Sequence, residues 1–200
     1  MRKIIFFVVA IIFLSGCLSQ NLDDGPVEIW LDSRWDSEEQ TAIIYGMERW
    51  EAETGINFFD FVGVYEDEDG EFSVEGDLYD KHHVVYKLLT PSEDSVWLEE
   101  NYSSSVPGER GGLWGYGLHT DILLFWYEFS QEDFYSNREI YLVFLSNLAT
   151  HESGHFLGMA HNVVDCGASM MAPHDCEQDG NYREITDDDV EELCVLYSGC

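Results

Sequence analysis

The 200-residue chain predicts an α+β domain, with strand patterns concentrated early and helical patterns late. Three observations point there. Short alternating apolar runs lie before residue 130, two long stretches carry apolar residues at helical spacing, and no repeat or second helix-strand alternation suggests a further domain. With 45% hydrophobic residues, and 12 Phe, 11 Tyr and 6 Trp, the chain can fill one core. A disordered acidic polypeptide would lack those aromatics.

The elements follow in order. Val27 to Asp32 alternates as a strand does. Asp36-Ser37-Glu38-Glu39 then opens a helix to Thr54, with Ile43, Ile44, Met47 and Trp50 as its apolar stripe and Gly55 as its stop. Ile56 to Val64 and His82 to Leu89 read as strands, separated by an acidic loop from Glu66 to Asp80. Pro107 to Gly117 holds five Gly and leads into a strand pair or irregular edge over Leu118 to Tyr127. Asn137 to Met159 has no Pro and carries Ile140, Phe144, Leu145 and Leu148, the pattern of a long helix ended by Gly158. Thr186, followed by three Asp, caps a last helix reaching Tyr197 and complements its dipole.

Nine Lys plus Arg face forty Asp plus Glu, a formal charge of −31. So few cations cannot line a phosphate backbone, which excludes a nucleic-acid partner. Self-repulsion at this charge density destabilises a compact state unless salt screens it, so the expectation is a saline habitat.

The start of the chain reads as an address. Arg2 and Lys3 precede an apolar run from Ile4 to Leu14, too short to span a membrane, and Leu14-Ser15-Gly16-Cys17 resembles a bacterial lipobox. Residues 1–16 are then a lipoprotein signal peptide, 17–25 the lipidated Cys17 and a short linker, and 26–200 the folded domain. The expected localisation is export, with a lipid anchor on the outer face of the cell membrane or in the outer membrane. Cleavage before Cys17 removes two basic residues and no acidic ones, taking the charge from −31 to −33.

Cys166, Cys176, Cys194 and Cys200 complete the cysteines, an even number suited to an oxidising compartment. Three connectivities are open. Short loops rich in turn formers favour Cys166 with Cys176 and Cys194 with Cys200. A cysteine zinc site lacks the usual two-residue spacing.

The chemistry concentrates at His151-Glu152-Ser153-Gly154-His155, inside the predicted long helix. A spacing of four stacks both imidazoles on one helix face, where they can share a metal ion. Phe156-Leu157-Gly158-Met159-Ala160-His161 follows directly, and a left-handed Gly158 would turn the chain so that His161 returns to the same ion. Three neutral imidazoles leave a fourth tetrahedral position for water, the arrangement of a catalytic zinc. Glu152 lies about 100° round the helix from His151, placed to act as general base without binding metal. By average residue frequencies H-E-x-x-H arises at roughly one position in tens of thousands, and the added Gly and His are rarer still.

This extended motif resembles that of the metzincin zinc peptidases. A second element agrees: Ser169-Met170-Met171-Ala172-Pro173 is similar to their Met-turn, with Met171 at the required spacing before proline and Met170 the alternative. Among metzincins the matrixins are nearest. Val27 to Asp32 before Glu38-Glu39-Gln40, Glu48-Arg49-Trp50, Thr54-Gly55-Ile56, Ile185 to Asp189 and Leu196-Tyr197 resemble matrixin segments, and the likeness spans most of residues 27 to 197.

The resemblance implies a twisted, mostly parallel five-stranded sheet with two long helices, a zinc cleft and a small C-terminal subdomain ending in a helix. It implies one catalytic zinc, an extended protein or peptide substrate paired to an edge strand near Gly111 to Leu118, and endopeptidase activity, with a monomer expected. Two rivals remain: a non-catalytic peptide binder on the same fold, disfavoured by the intact Glu152, and a cell-wall amidase, separable by substrate. His82, His83, His119 and Asp121 are candidates for a second, structural zinc, although adjacent His on a strand face opposite ways. Glu66 to Glu71 is a calcium candidate without the EF-hand spacing. No cysteine-switch prodomain fits before Val27, and Cys166 and Cys176 bracket the Met-turn, both departures from the matrixin pattern.

Overall fold

The computed structural model describes residues 25–66, 82–88, 114–117, 122–125, 137–161, 169–172 and 183–197. The signal segment, Cys17, His119, Asp121, Cys166, Cys176, Cys200, Pro173 and the acidic loop beyond Glu66 lie outside these residues.

Five strands, β1 (Val27–Asp32), β2 (Phe59–Tyr65), β3 (His83–Leu88), β4 (Trp114–Gly117) and β5 (Ile122–Phe125), form one sheet in the order β2-β1-β3-β5-β4. The first four in that order run parallel, and β4 alone pairs antiparallel, against β5 at the edge. Among the described residues three helices accompany it: α1 (Ser37–Thr54), α2 (Arg138–Phe156) and α3 (Asp187–Leu196). The architecture is α+β with a mostly parallel sheet. No described helix is long and apolar enough to cross a membrane.

Each helix begins where its sequence says it should. The Asp36 carboxylate accepts the N–H groups of Glu38 and Glu39, while Glu39 reaches back to the Asp36 N–H, completing a capping box. Gly55, left-handed at φ 73°, ends α1. Thr186 and Asp189 form a second capping box on α3. The strand expected from Ile56 begins later, at Phe59, because the Glu51 carboxylate accepts the N–H groups of Phe58 and Phe59 and holds the approach to the sheet.

The predicted stripe of α1 divides: Ile43, Met47 and Trp50 are fully buried, whereas Ile44 is only partly so. On α2 the buried face runs through Tyr141, Leu145 and Leu148, and Ile140 points outward, about half exposed. Tyr141 turns inward because its hydroxyl donates to the buried Glu39 carboxylate at 2.8 Å. Lys87 Nζ lies 2.7 Å from the same carboxylate and stacks over the Trp35 ring, so one buried ion pair joins β3, α1 and α2.

The two long helices meet at a glycine. A Cβ on Gly46 would lie 2.2 Å from the Ser146 carbonyl oxygen, so only glycine permits this backbone approach. Beside it the Thr150 hydroxyl donates to the Gly46 carbonyl at 2.8 Å, and Trp50 Nε1 donates to the Thr150 carbonyl at 2.7 Å. The helix is therefore anchored one residue before His151.

Candidate metal centre

His151 and His155 stand one helical turn apart near the C-terminal end of α2. Beyond Phe156 the backbone leaves the helix through Gly158, at φ 94°, and His161 comes back to the other two. The Nε2 atoms are separated by 3.2 Å (His151 to His155), 3.0 Å (His155 to His161) and 3.3 Å (His151 to His161). This is the one group among the described residues arranged to hold a metal ion.

Hydrogen bonds set the tautomers. His151 Nδ1 lies 2.7 Å from the Met170 carbonyl and His155 Nδ1 lies 2.9 Å from the Met159 carbonyl. A carbonyl only accepts, so each Nδ1 carries the proton and each Nε2 presents a lone pair. Burial lowers the pKa of His155 from its usual value, against the opposing pull of the Met159 carbonyl and the Glu192 charge, and so favours the neutral, ligating form. Lone pairs this close repel unless a cation lies between them. Ligands about 2.0–2.1 Å from a tetrahedral ion sit about 3.3–3.4 Å apart, close to the observed triangle, so the donor set fits zinc.

Glu152 follows His151 and is buried, 2% exposed. Below the site, residues 169–172 form a turn in which Met170 and Met171 are both fully buried. The two methionines do different things. Met170 supplies the carbonyl that orients His151, whereas the Met171 side chain lies against Gly154 of the motif helix, its sulfur 2.4 Å from where a Cβ would sit.

That turn is braced by residues the sequence reading placed elsewhere. Asp189 is read there only as a helix-capping acid, yet its buried carboxylate accepts the Ser169 hydroxyl at 2.6 Å and the Met170 N–H at 3.1 Å. Arg183 donates to the Ala172 carbonyl, and Arg49 of α1 links the Arg183 carbonyl to Asn147 on α2. No pattern of spacing marks these pairs, because each joins segments distant in sequence.

His82, just before β3, and His83, its first residue, have different neighbours: His82 packs on Trp30 and Tyr65, and His83 meets Phe156 edge-on. Their proposed partners His119 and Asp121 fall outside the described residues, as does the calcium candidate beyond Glu66. Cys194 on α3 is disulfide-bonded, with its partner also outside them.

The family model that matches this chain is that of the matrixins, over residues 92–198, just over half of the sequence. The chain belongs to the matrixin family. No curated protein matches it. The matched span contains the His151, His155 and His161 cluster, the turn beneath it and α3. A matrixin domain is a metallopeptidase domain, and zinc is the ion its family implies. The α+β architecture, with its mostly parallel sheet and the three helices among the described residues, agrees with that membership.

Proposed function

We propose that this matrixin is a zinc endopeptidase that cleaves proteins or peptides outside the cytoplasm. The observation that carries the reading is the convergence of three Nε2 atoms within 3.3 Å of one another, two of them with Nδ1 tied to backbone carbonyls.

His151, His155 and His161 would hold the ion. Bound there, zinc supplies Lewis acidity toward a scissile carbonyl and lowers the pKa of water towards about 7. Glu152, on the same helix and shielded from bulk solvent, takes a proton from the attacking water and returns it to the departing amine. Substrate lies extended along β4: this edge strand has one side paired to β5, and its backbone runs beside α2.

The same reading includes the address. Arg2, Lys3, the apolar run and Cys17 support export and lipid anchoring, which keeps a monomeric enzyme on the outer face of the cell membrane or in the outer membrane. Disulfides Cys166–Cys176 and Cys194–Cys200 suit that compartment.

Glu152→Ala tests the chemistry. The variant retains zinc and loses at least about a hundredfold in kcat/KM on peptide substrates. Equal turnover in variant and parent would reject Glu152 as the base. Hydrolysis that survives complete zinc removal would reject the metallopeptidase reading.

A further inference from the structure

The third ligand is the hardest to place, because His161 lies beyond the end of α2 and depends on the turn that carries it. Most polar groups of that turn bond locally: the N–H groups of Leu157, Gly158 and Met159 donate to the carbonyls of Ser153, His155 and Gly154, and the Met159 carbonyl accepts from His155. Two groups reach out, one to α3 and one to Tyr197, the residue that caps its C-terminal end. The Leu157 carbonyl accepts the Tyr197 hydroxyl at 2.9 Å, and the Ala160 N–H donates to Glu192 Oε1 at 3.2 Å. These contacts sit at the two ends of the turn, one just past the helix and one immediately before His161. Leu196 closes over its middle, with Cδ1 3.9 Å from a Cβ placed on Gly158. The Tyr197 ring is itself fixed, edge-on to the fully buried Phe58.

We propose that Glu192 and Tyr197 are positioning residues for His161, clamping the turn so that the third imidazole meets the first two and α3 thereby sets the affinity of the metal site. The proposal rests on the reading of the three histidines as ligands of one ion. The reason is preorganisation. Without the clamp, each binding event must first order a glycine-containing turn, and that conformational cost is subtracted from metal affinity.

The test compares the full chain with Glu192→Ala, Glu192→Gln and Tyr197→Phe. Zinc dissociation constants are measured by competition with a chromophoric chelator, and ligand geometry by the visible spectrum of the cobalt(II)-substituted chain. The thermal midpoint of each metal-free chain serves as the control for general stability. Glu192→Ala and Tyr197→Phe are each expected to weaken zinc binding about 10-fold or more, with a changed cobalt spectrum. Glu192→Gln, which keeps an oxygen acceptor, loses clearly less. Zinc affinities within about 2-fold of the parent in both Glu192→Ala and Tyr197→Phe would overturn the proposal, as would losses that follow the metal-free midpoints with the cobalt spectrum unmoved. Glu192→Gln as weak as Glu192→Ala would overturn it for Glu192, because the bond would then not be what matters. A parent chain that binds no zinc fails differently: it overturns the three-histidine site itself.

Discussion

His151 donates its Nδ1 proton to the Met170 carbonyl, 2.7 Å away, across nineteen positions of sequence. The bond makes the turn below the site responsible for the orientation of His151. The backbone of that turn is in turn held by Asp189 of α3.

Asp189→Ala should therefore cost more than the loss of a helix cap. It removes the acceptor for the Ser169 hydroxyl, the Met170 N–H and the Thr186 N–H in a fully buried setting. Orphaned buried donors of this kind cost about 1–3 kcal/mol each, partly relieved by relaxation, so a loss of about 3 kcal/mol is expected. Urea unfolding of the metal-free chain measures it, and a loss under about 1 kcal/mol would contradict the bracing role.

Gly46→Ala probes the helix crossing. The new methyl would meet the Ser146 carbonyl oxygen at 2.2 Å, and this neighbour is backbone rather than a mobile side-chain tip. The helices must separate, at a cost of about 3 kcal/mol, with the Thr150 to Gly46 bond lengthened. Thermal unfolding should show a clearly lower midpoint than the parent. A neutral result would mean that the helices slide apart freely.

Lys87→Met leaves the Glu39 carboxylate buried with the Tyr141 hydroxyl, the Asp36 N–H and, 3.6 Å away, the Arg138 guanidinium, but without its closest cation. Breaking a buried pair on one side costs about 3–5 kcal/mol. Adding Glu39→Gln to the same chain removes a buried charge that the partly exposed Arg138 alone compensates, and keeps an acceptor for Tyr141, so the double variant should be more stable than Lys87→Met. Denaturant midpoints of the two variants decide the matter, and a further loss in the double variant would refute the account.

Acid should weaken the start of α1. Burial pushes the Asp36 pKa up, but the N–H groups of Glu39 and Glu38 and the Arg138 guanidinium outweigh it, and the net pKa lies below 3.8. The unfolded chain thus takes up this proton at higher pH than the folded one. The stabilisation is complete well above 3.8 and is lost as pH falls through the lower folded value. Asp36→Ala should destabilise by about 0.5–2 kcal/mol at neutral pH, and the difference from the parent should shrink on acidification. A pH-independent difference between the two unfolding curves would argue against it.

Much of the site was legible in the sequence because it depends on local geometry. Four-residue spacing places His151 and His155 together on any α-helix, and a glycine three residues later permits the turn to His161; the caps at Asp36 and Thr186 are equally local. What tertiary structure alone decided is which distant groups meet those residues. The bond from His151 to Met170, Asp189 beneath the turn, Glu192 and Tyr197 bonded to Ala160 and Leu157 in the segment leading to His161, and Lys87 buried against Glu39 all join segments that pack together only when the helices fold onto the sheet. Periodicity describes which face of an element is buried, but it holds no information on what that face will touch. Asp189 illustrates the difference: its capping role follows from its three-residue offset from Thr186, whereas its hold on the metal site follows from where α3 docks.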